Sequence, residues 1–240
     1  MLKSDLVMIA SFIMVLLIFL FLNLNNEQDD SHDNYVQKTK IKNLMSLPFA
    51  FIFISIFFIP KESELILSKA LVFGLIAGSF FQPVIADSYL TKISLVYKDS
   101  YNTPFWMIFL WGIFLTQLSY LAIRMDAVVS SLGLSIDMAH GLFLIVGIFL
   151  FFFFESVANN PNYLWRRKNC FQVFNMAVYA FLAEVCAVEI IWITVRRVHV
   201  LNFNFIAISA FAGLLIAFCF IVFCAIEQTF NKIIKKRREL

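Results

Sequence analysis

Four ionisable residues, Glu184, Glu189, Asp137 and His140, lie inside stretches that are otherwise almost wholly apolar. Glu184 ends the run Tyr179-Ala180-Phe181-Leu182-Ala183-Glu184, near the middle of a long hydrophobic segment. An ionisable group at the centre of a bilayer costs at least about 2.5 kcal/mol on insertion scales, so a chain keeps one when it is partnered or useful. Desolvation disfavours the charged form of a carboxylic acid. Glu184 is therefore expected as a neutral acid that donates or carries a proton. The plainer reading is a carboxyl group hydrogen-bonded to a neighbouring helix.

Asp137 and His140 are three residues apart, on one face of a helix. An aspartate beside a histidine fixes its tautomer and suits it to acid–base work or proton relay. Glu155 follows Phe151-Phe152-Phe153-Phe154 at the boundary of its stretch, where a carboxylate either acts or reaches into water. Glu184, Asp137, His140 and Glu155 are the candidate catalytic residues. At about 100° per residue, Glu189 lies roughly 140° around the helix from Glu184. It shares a side with Asn175, Tyr179 and Cys186. A helix with a polar stripe and a separate carboxylate is expected at the centre of a bundle. Glu189, Tyr179 and Asn175, with Trp165 at the cytoplasmic boundary, are the candidate substrate-binding residues. Glu189 is further expected to share an outer polar cavity with Gln117, Tyr120, Asn202 and Asn204.

Other chemistry is unsupported. The four cysteines, Cys170, Cys186, Cys219 and Cys224, form no C-x-x-C pair or metal spacing and read as small apolar filler. No histidines are paired at helical spacing, so no haem, metal or other cofactor is expected. There is no Gly-rich phosphate loop, which argues against ATP-driven transport. The seventh apolar stretch holds no lysine for a retinal Schiff base.

The elements that must position these residues follow from composition. Of 240 residues, 61% are hydrophobic and 15% charged, and mean hydropathy is +0.84. Soluble domains average about 45–50% apolar and about 25% charged. A soluble enzyme of this size has nowhere to hide so much apolar surface. A spanning helix takes roughly 20 apolar residues. Seven stretches fit, at about 6–24, 44–59, 65–86, 105–123, 133–154, 171–195 and 201–226. None shows the alternation of a membrane β-barrel. The expected fold is an all-α, seven-helix membrane bundle forming one domain, with 227–240 as a basic tail.

Alternating the loops across the bilayer places Lys3, Lys61, Arg124, Arg196 and Arg197 on the N-terminal side. Lys38, Lys40, Lys42, Lys92, Lys98, Arg166, Arg167, Lys168, Lys232, Lys235, Lys236, Arg237 and Arg238 fall on the other. The positive-inside rule then puts the N-terminus outside and the C-terminus in the cytoplasm. The bilayer is the principal expected partner, the cell membrane the expected location, and anionic lipid the partner of the basic tail. Nucleic acid is not an expected partner. Lys69, about one turn into the third stretch, is expected to snorkel to the interface. Gly74-Leu75-Ile76-Ala77-Gly78, a small-xxx-small pattern, is expected to pack closely on a neighbour.

Seven spans in 240 residues, with scattered carboxylates and no soluble domain, resemble small integral-membrane isoprenoid enzymes. These are the membrane-bound terpene cyclases of meroterpenoid pathways and the hydratases and cyclases of carotenoid biosynthesis. The resemblance rests on Asp126 to Glu184, with His140-Gly141, Glu155, Trp165 and the aromatic-acidic run Tyr179 to Glu184, and on Asp87 to Trp111, where Pro104 opens a Trp-rich helix. Pro60-Lys61-Glu62 is similar to the Pro-x-Glu of small lycopene cyclases, with the following acid displaced to Glu64. The resemblance implies acid-initiated cyclisation or hydration of a lipophilic polyene, with aromatic rings stabilising the carbocation. Two other functions fit the same residues. One is a non-catalytic membrane subunit whose carboxylates pair with other helices. The other is a proton- or ion-coupled transporter using Glu184 and Glu189.

Overall fold

The computed structural model of the protein describes residues 3–24, 64–97, 103–158, 165–197 and 203–238. The expected second span at 44–59, Pro60 to Glu62 and Asn202 lie outside these residues. Six helices make up most of what is described. Helix α1 is Lys3–Leu24. Helix α2 has three consecutive pieces, Glu64–Phe73, a wider π-helical Gly74–Asp87, and a last turn Ser88–Leu90. Helices α3 (Phe105–Ser131), α4 (Ile136–Ala158), α5 (Val178–Arg197) and α6 (Phe203–Arg238) follow. Among the described residues, α2 to α6 supply five helices long and apolar enough to cross a membrane.

Helices α1, α2 and α4 run antiparallel to α3, and α5 runs parallel to it. Helix α3 is the most enclosed, with 78% of its most apolar window buried, against 56% for α5 and 33% for α4. The centre of the bundle is therefore the fourth expected span and not the sixth. The reason is that α3 touches α1, α2, α4 and α5 together, whereas α5 packs between α6, α4 and α3 and finds its polar partners at the ribbon for Tyr179 and on α4 for Glu189. The outer faces of α4 and α6 carry exposed Ile145, Phe149, Phe211 and Phe218. An apolar outside of this extent suits hydrocarbon surroundings.

Close approach of α2 to α3 depends on missing side chains. A Cβ on Gly78 would lie 2.4 Å from the Trp111 carbonyl oxygen, and one on Gly74 would lie 2.6 Å from that of Gly112. A Cβ on Gly213 of α6 would lie 2.7 Å from the Ala77 Cα. The small residues of α2 thus let both neighbours reach its backbone. Pro83, which has no N–H to donate, sits within the π-helical part.

Two short ribbons close one end of the bundle. Strand β1 (Leu95–Tyr97) pairs antiparallel with β2 (Trp165–Arg167), matching Leu95 to Arg167 and Tyr97 to Trp165. Alternation turns those four residues inward, where all are buried. Strands β3 (Gln172–Val173) and β4 (Met176–Ala177) form a hairpin through Phe174 and Asn175, both at positive φ. That hairpin moves the start of the sixth expected span from Phe171 to Val178. Asn175 therefore stands in an exposed turn and leaves the helical stripe on which it was expected. Glu227 of α6 accepts the backbone N–H of Phe171 and that of Tyr179, so a carboxylate caps the start of α5. Helix α6 continues to Arg238, and the basic tail is helical over its described part.

Candidate active site

Beneath the β1–β2 ribbon lies a polar cluster drawn from six elements, α2 to α5 and both strands, and from the turn that holds Ser94. Arg167 of β2, buried within the bundle, donates from Nη2 to Glu155 Oε1 at 2.6 Å and from Nη1 to the Tyr179 hydroxyl at 3.1 Å. Trp165 Nε1 donates to the other Glu155 oxygen at 3.1 Å. The Tyr179 hydroxyl also meets Ser94 Oγ at 2.7 Å. Asp87, at the end of the π-helical stretch, accepts from Trp111 Nε1 at 2.9 Å and from the Tyr97 hydroxyl at 3.1 Å. Burial works against the Arg167 charge, but Glu155, Tyr179 and Asp87 outweigh it and hold the guanidinium above its ordinary range. Burial, and then the Asp87 charge, push the Tyr97 phenol well above its ordinary range, so it remains an O–H donor. The cluster thus has a firmly ionised cation and acceptors locked in place.

Glu184 lies deeper, and it differs. It is 1% exposed, and neither carboxyl oxygen has a hydrogen-bond partner among the described residues. It lines a small cavity of about 30 Å³ with Glu155, Trp165, Trp111, Phe114, Phe151 and Phe154. The rings pack edge to face, with Phe114 at 4.8 Å from Phe151 and 5.1 Å from Phe154. Of the two carboxyl groups at this cavity, Glu155 is held by Arg167 and Trp165, and Glu184 is the one with no hydrogen bond among the described residues.

Of the candidate catalytic residues, the fold therefore brings Glu184 and Glu155 to one cavity, with Trp165 from the binding set. Tyr179 joins them through Arg167. Asp137 and His140 do not line that cavity. His140 Nε2 pairs with Glu189 Oε2 at 2.9 Å and stacks on Trp192, while Asp137 is exposed. Glu189 is thus the partner of His140 across α4 and α5, in place of Asp137. Arg196 packs over Trp192 and meets Asp126 at 3.3 Å, extending this second, half-exposed cluster toward the bundle end.

The outer polar residues also separate. Gln117 donates to Ser11 Oγ at 2.9 Å, and Tyr120 donates to Asp5 at 2.8 Å, so both face α1 and not Glu189. Asn204 is exposed. Lys69, expected to snorkel, is instead buried.

Sequence reasoning undervalued Asp87, Trp111, Tyr97 and Arg167. Arg167 read as one more basic loop residue, because its burial depends on a ribbon formed between two distant loops. The signal that would have found it is period-two alternation in Trp165-Arg166-Arg167, which places Trp165 and Arg167 on one face. Gln82 of α2 is fully buried, and neither end of its amide has a partner among the described residues. Among those residues, no group of three or more His, Cys, Asp or Glu is arranged to hold a metal ion. Burial raises the Cys170 thiol to about 11, so it is no thiolate nucleophile.

A protein-family model described as a domain of unknown function (DUF6989) matches residues 84–230. That stretch contains every member of the polar cluster and of the aromatic cavity. No curated protein and no solved structure matches the chain.

Proposed function

The chain belongs to the DUF6989 family, and from that premise we propose that it is a seven-span membrane enzyme performing acid-initiated cyclisation or hydration of a lipophilic, isoprenoid-type substrate. The observation that carries this reading is Glu184, a buried carboxyl group with both oxygens unpartnered among the described residues, at the wall of an aromatic cavity. The Glu184 O–H protonates an alkene or epoxide of the substrate. The resulting carbocation lies against the rings of Trp111, Phe151 and Trp165. Ring closure followed by proton loss returns the proton to the Glu184 carboxylate and gives an isomer of the substrate. Capture by water and loss of one proton gives the hydrated product and restores the same acid. Glu155, held by Arg167 and Trp165, stands fixed at the cavity wall and orients these two side chains without being consumed.

The seven-span topology, with the N-terminus outside and the C-terminus cytoplasmic, belongs to the same proposal. Ser4 and Asp5 meet Tyr120 while Ser11 meets Gln117, so α1 runs against α3. Ser119 bonds to the Ala70 carbonyl, and Trp111 reaches Asp87, so α2 runs against α3 as well. Two parallel helices in succession are the relation expected when one further crossing separates them in sequence. The basic end of α6 faces anionic lipid in this orientation.

The test is Glu184→Gln, assayed in nanodiscs against a panel of linear polyenes and polyene epoxides, with products resolved by mass spectrometry. General acid catalysis contributes about 10²–10⁴-fold, and a loss in that range is expected. Wild-type turnover by the Gln variant refutes the acid role.

A further inference from the structure

A second cavity, of about 730 Å³, runs along the other side of α3 between α1 and α4. Its walls are apolar over most of their length, with Met8, Phe12, Leu118, Leu121, Val146 and Leu150 among them. Its polar groups, Asp5, Gln117, Tyr120 and Arg124, lie along its middle, and apolar wall continues past Arg124 to Leu132. Arg124 holds Asp5 through two hydrogen bonds, at 2.8 and 3.0 Å, and the Tyr120 hydroxyl donates to the same carboxylate. At the end opposite Leu132 the wall is Phe114, which is also a wall of the small Glu184 cavity. Phe114 is the one residue lining both.

We propose that this groove is the resting site of an elongated apolar substrate with an uncharged hydrogen-bonding head, and that Phe114 decides how far its tail reaches toward Glu184. The inference rests on the reading of Glu184 as the acid and adds the substrate's shape, its direction and the residue that limits it. Phe114 and Arg124 are ten residues apart on α3, about 15 Å at the helical rise, which sets the head-to-wall distance. The head is uncharged because Arg124, the cation lining this groove, is already held by the Asp5 carboxylate through two hydrogen bonds and is not offered to a phosphate. The volume lies within the range of about 300–1,000 Å³ common to small-molecule sites. The 30 Å³ cavity holds no more than a water, so reaction requires the Phe114 ring to swing away and merge the two spaces. Its contacts with Phe151 and Phe154 are ring-to-ring, and no hydrogen bond holds it.

The test uses a linear C15 alcohol carrying a terminal diazirine, photolysed on the full chain in phosphatidylcholine nanodiscs, with adducts mapped by mass spectrometry. Wild-type adducts are expected at Phe114, Leu118 and Leu150. In Phe114→Ala they extend to Trp111 and Phe151, and in Phe114→Trp those cavity adducts are lost. Leu118→Phe, which fills the groove away from the acid cavity, removes the Leu150 adduct and keeps the inference testable if Phe114→Ala does not fold. Adducts no denser in the groove than at outward-facing Ile145 and Phe149 mean annular lipid only and overturn the proposal. So does a groove that the probe never labels, since protein then fills it. Glu184→Gln leaves the adducts in place. Normal adducts with undiminished turnover in that variant defeat the acid role and spare the groove.

Discussion

Replacing Arg167 with methionine isolates the most demanding interaction in the bundle. Its side chain and that of Glu155 are 3% and 5% exposed, and they meet at 2.6 Å. Methionine fills similar space without charge. Breaking a buried pair by removing one partner costs about 3–5 kcal/mol, because the remaining charge is left in a low-dielectric site. The lost Arg167–Tyr179 hydrogen bond adds about 1 kcal/mol. The expected destabilisation is therefore about 4–6 kcal/mol. If the cause is the stranded Glu155 charge, removing that charge as well repairs most of the damage. Paired replacement by apolar residues of similar size is often neutral or stabilising. Arg167→Met/Glu155→Met is then expected to recover more than half of the loss. Unfolding in mixed micelles titrated with sodium dodecyl sulfate, followed by tryptophan fluorescence, measures both variants, and Trp165 in the cluster is a direct reporter. A single variant within about 1 kcal/mol of wild type, or a double variant as unstable as the summed singles, refutes the argument.

Two further outcomes follow from packing and exposure. Gly78→Ala is expected to abolish folded yield or cost several kcal/mol, because its Cβ would lie 2.4 Å from the Trp111 carbonyl oxygen, a backbone atom that cannot step aside. Gly141→Ala, with nothing within 4 Å of its Cβ, is expected to be neutral or to stabilise by up to about 1 kcal/mol through helix propensity. The same unfolding titration separates the two, and equal effects would defeat the close-approach account. Glu189→Gln removes one charge from the pair with His140, whose side chains are 38% and 33% exposed. Partly exposed pairs contribute about 0–1 kcal/mol, so a loss above about 2 kcal/mol would show that this cluster bears more of the fold than its exposure implies.

Composition and unbroken apolar runs by themselves pointed to helices long and apolar enough to cross a membrane, because no soluble core absorbs so much apolar surface. Hydrophobic run length placed α1, α2 and α4 within a few residues of their observed bounds, while α3 and α6 run on past their expected ends to Ser131 and Arg238. A difference of another kind lies at Phe171 to Ala177, where apolar residues that looked like a helix form a hairpin instead. Turn geometry at Phe174 and Asn175 decides that locally, and hydrophobicity carries no information about it. Glu184 was legible as a residue out of place, since the cost of burying a carboxyl depends only on depth. Its surroundings were not legible. That Glu155 and not His140 shares its cavity, that Arg167 is buried, and that Glu189 takes His140 as its partner all depend on how helices rotate against one another. Rotation is set by contacts between residues far apart in the chain, such as Gly78 against Trp111 or the ribbon joining Tyr97 to Trp165. A linear pattern of polar and apolar residues says which faces must be buried, and only the packed bundle says against what.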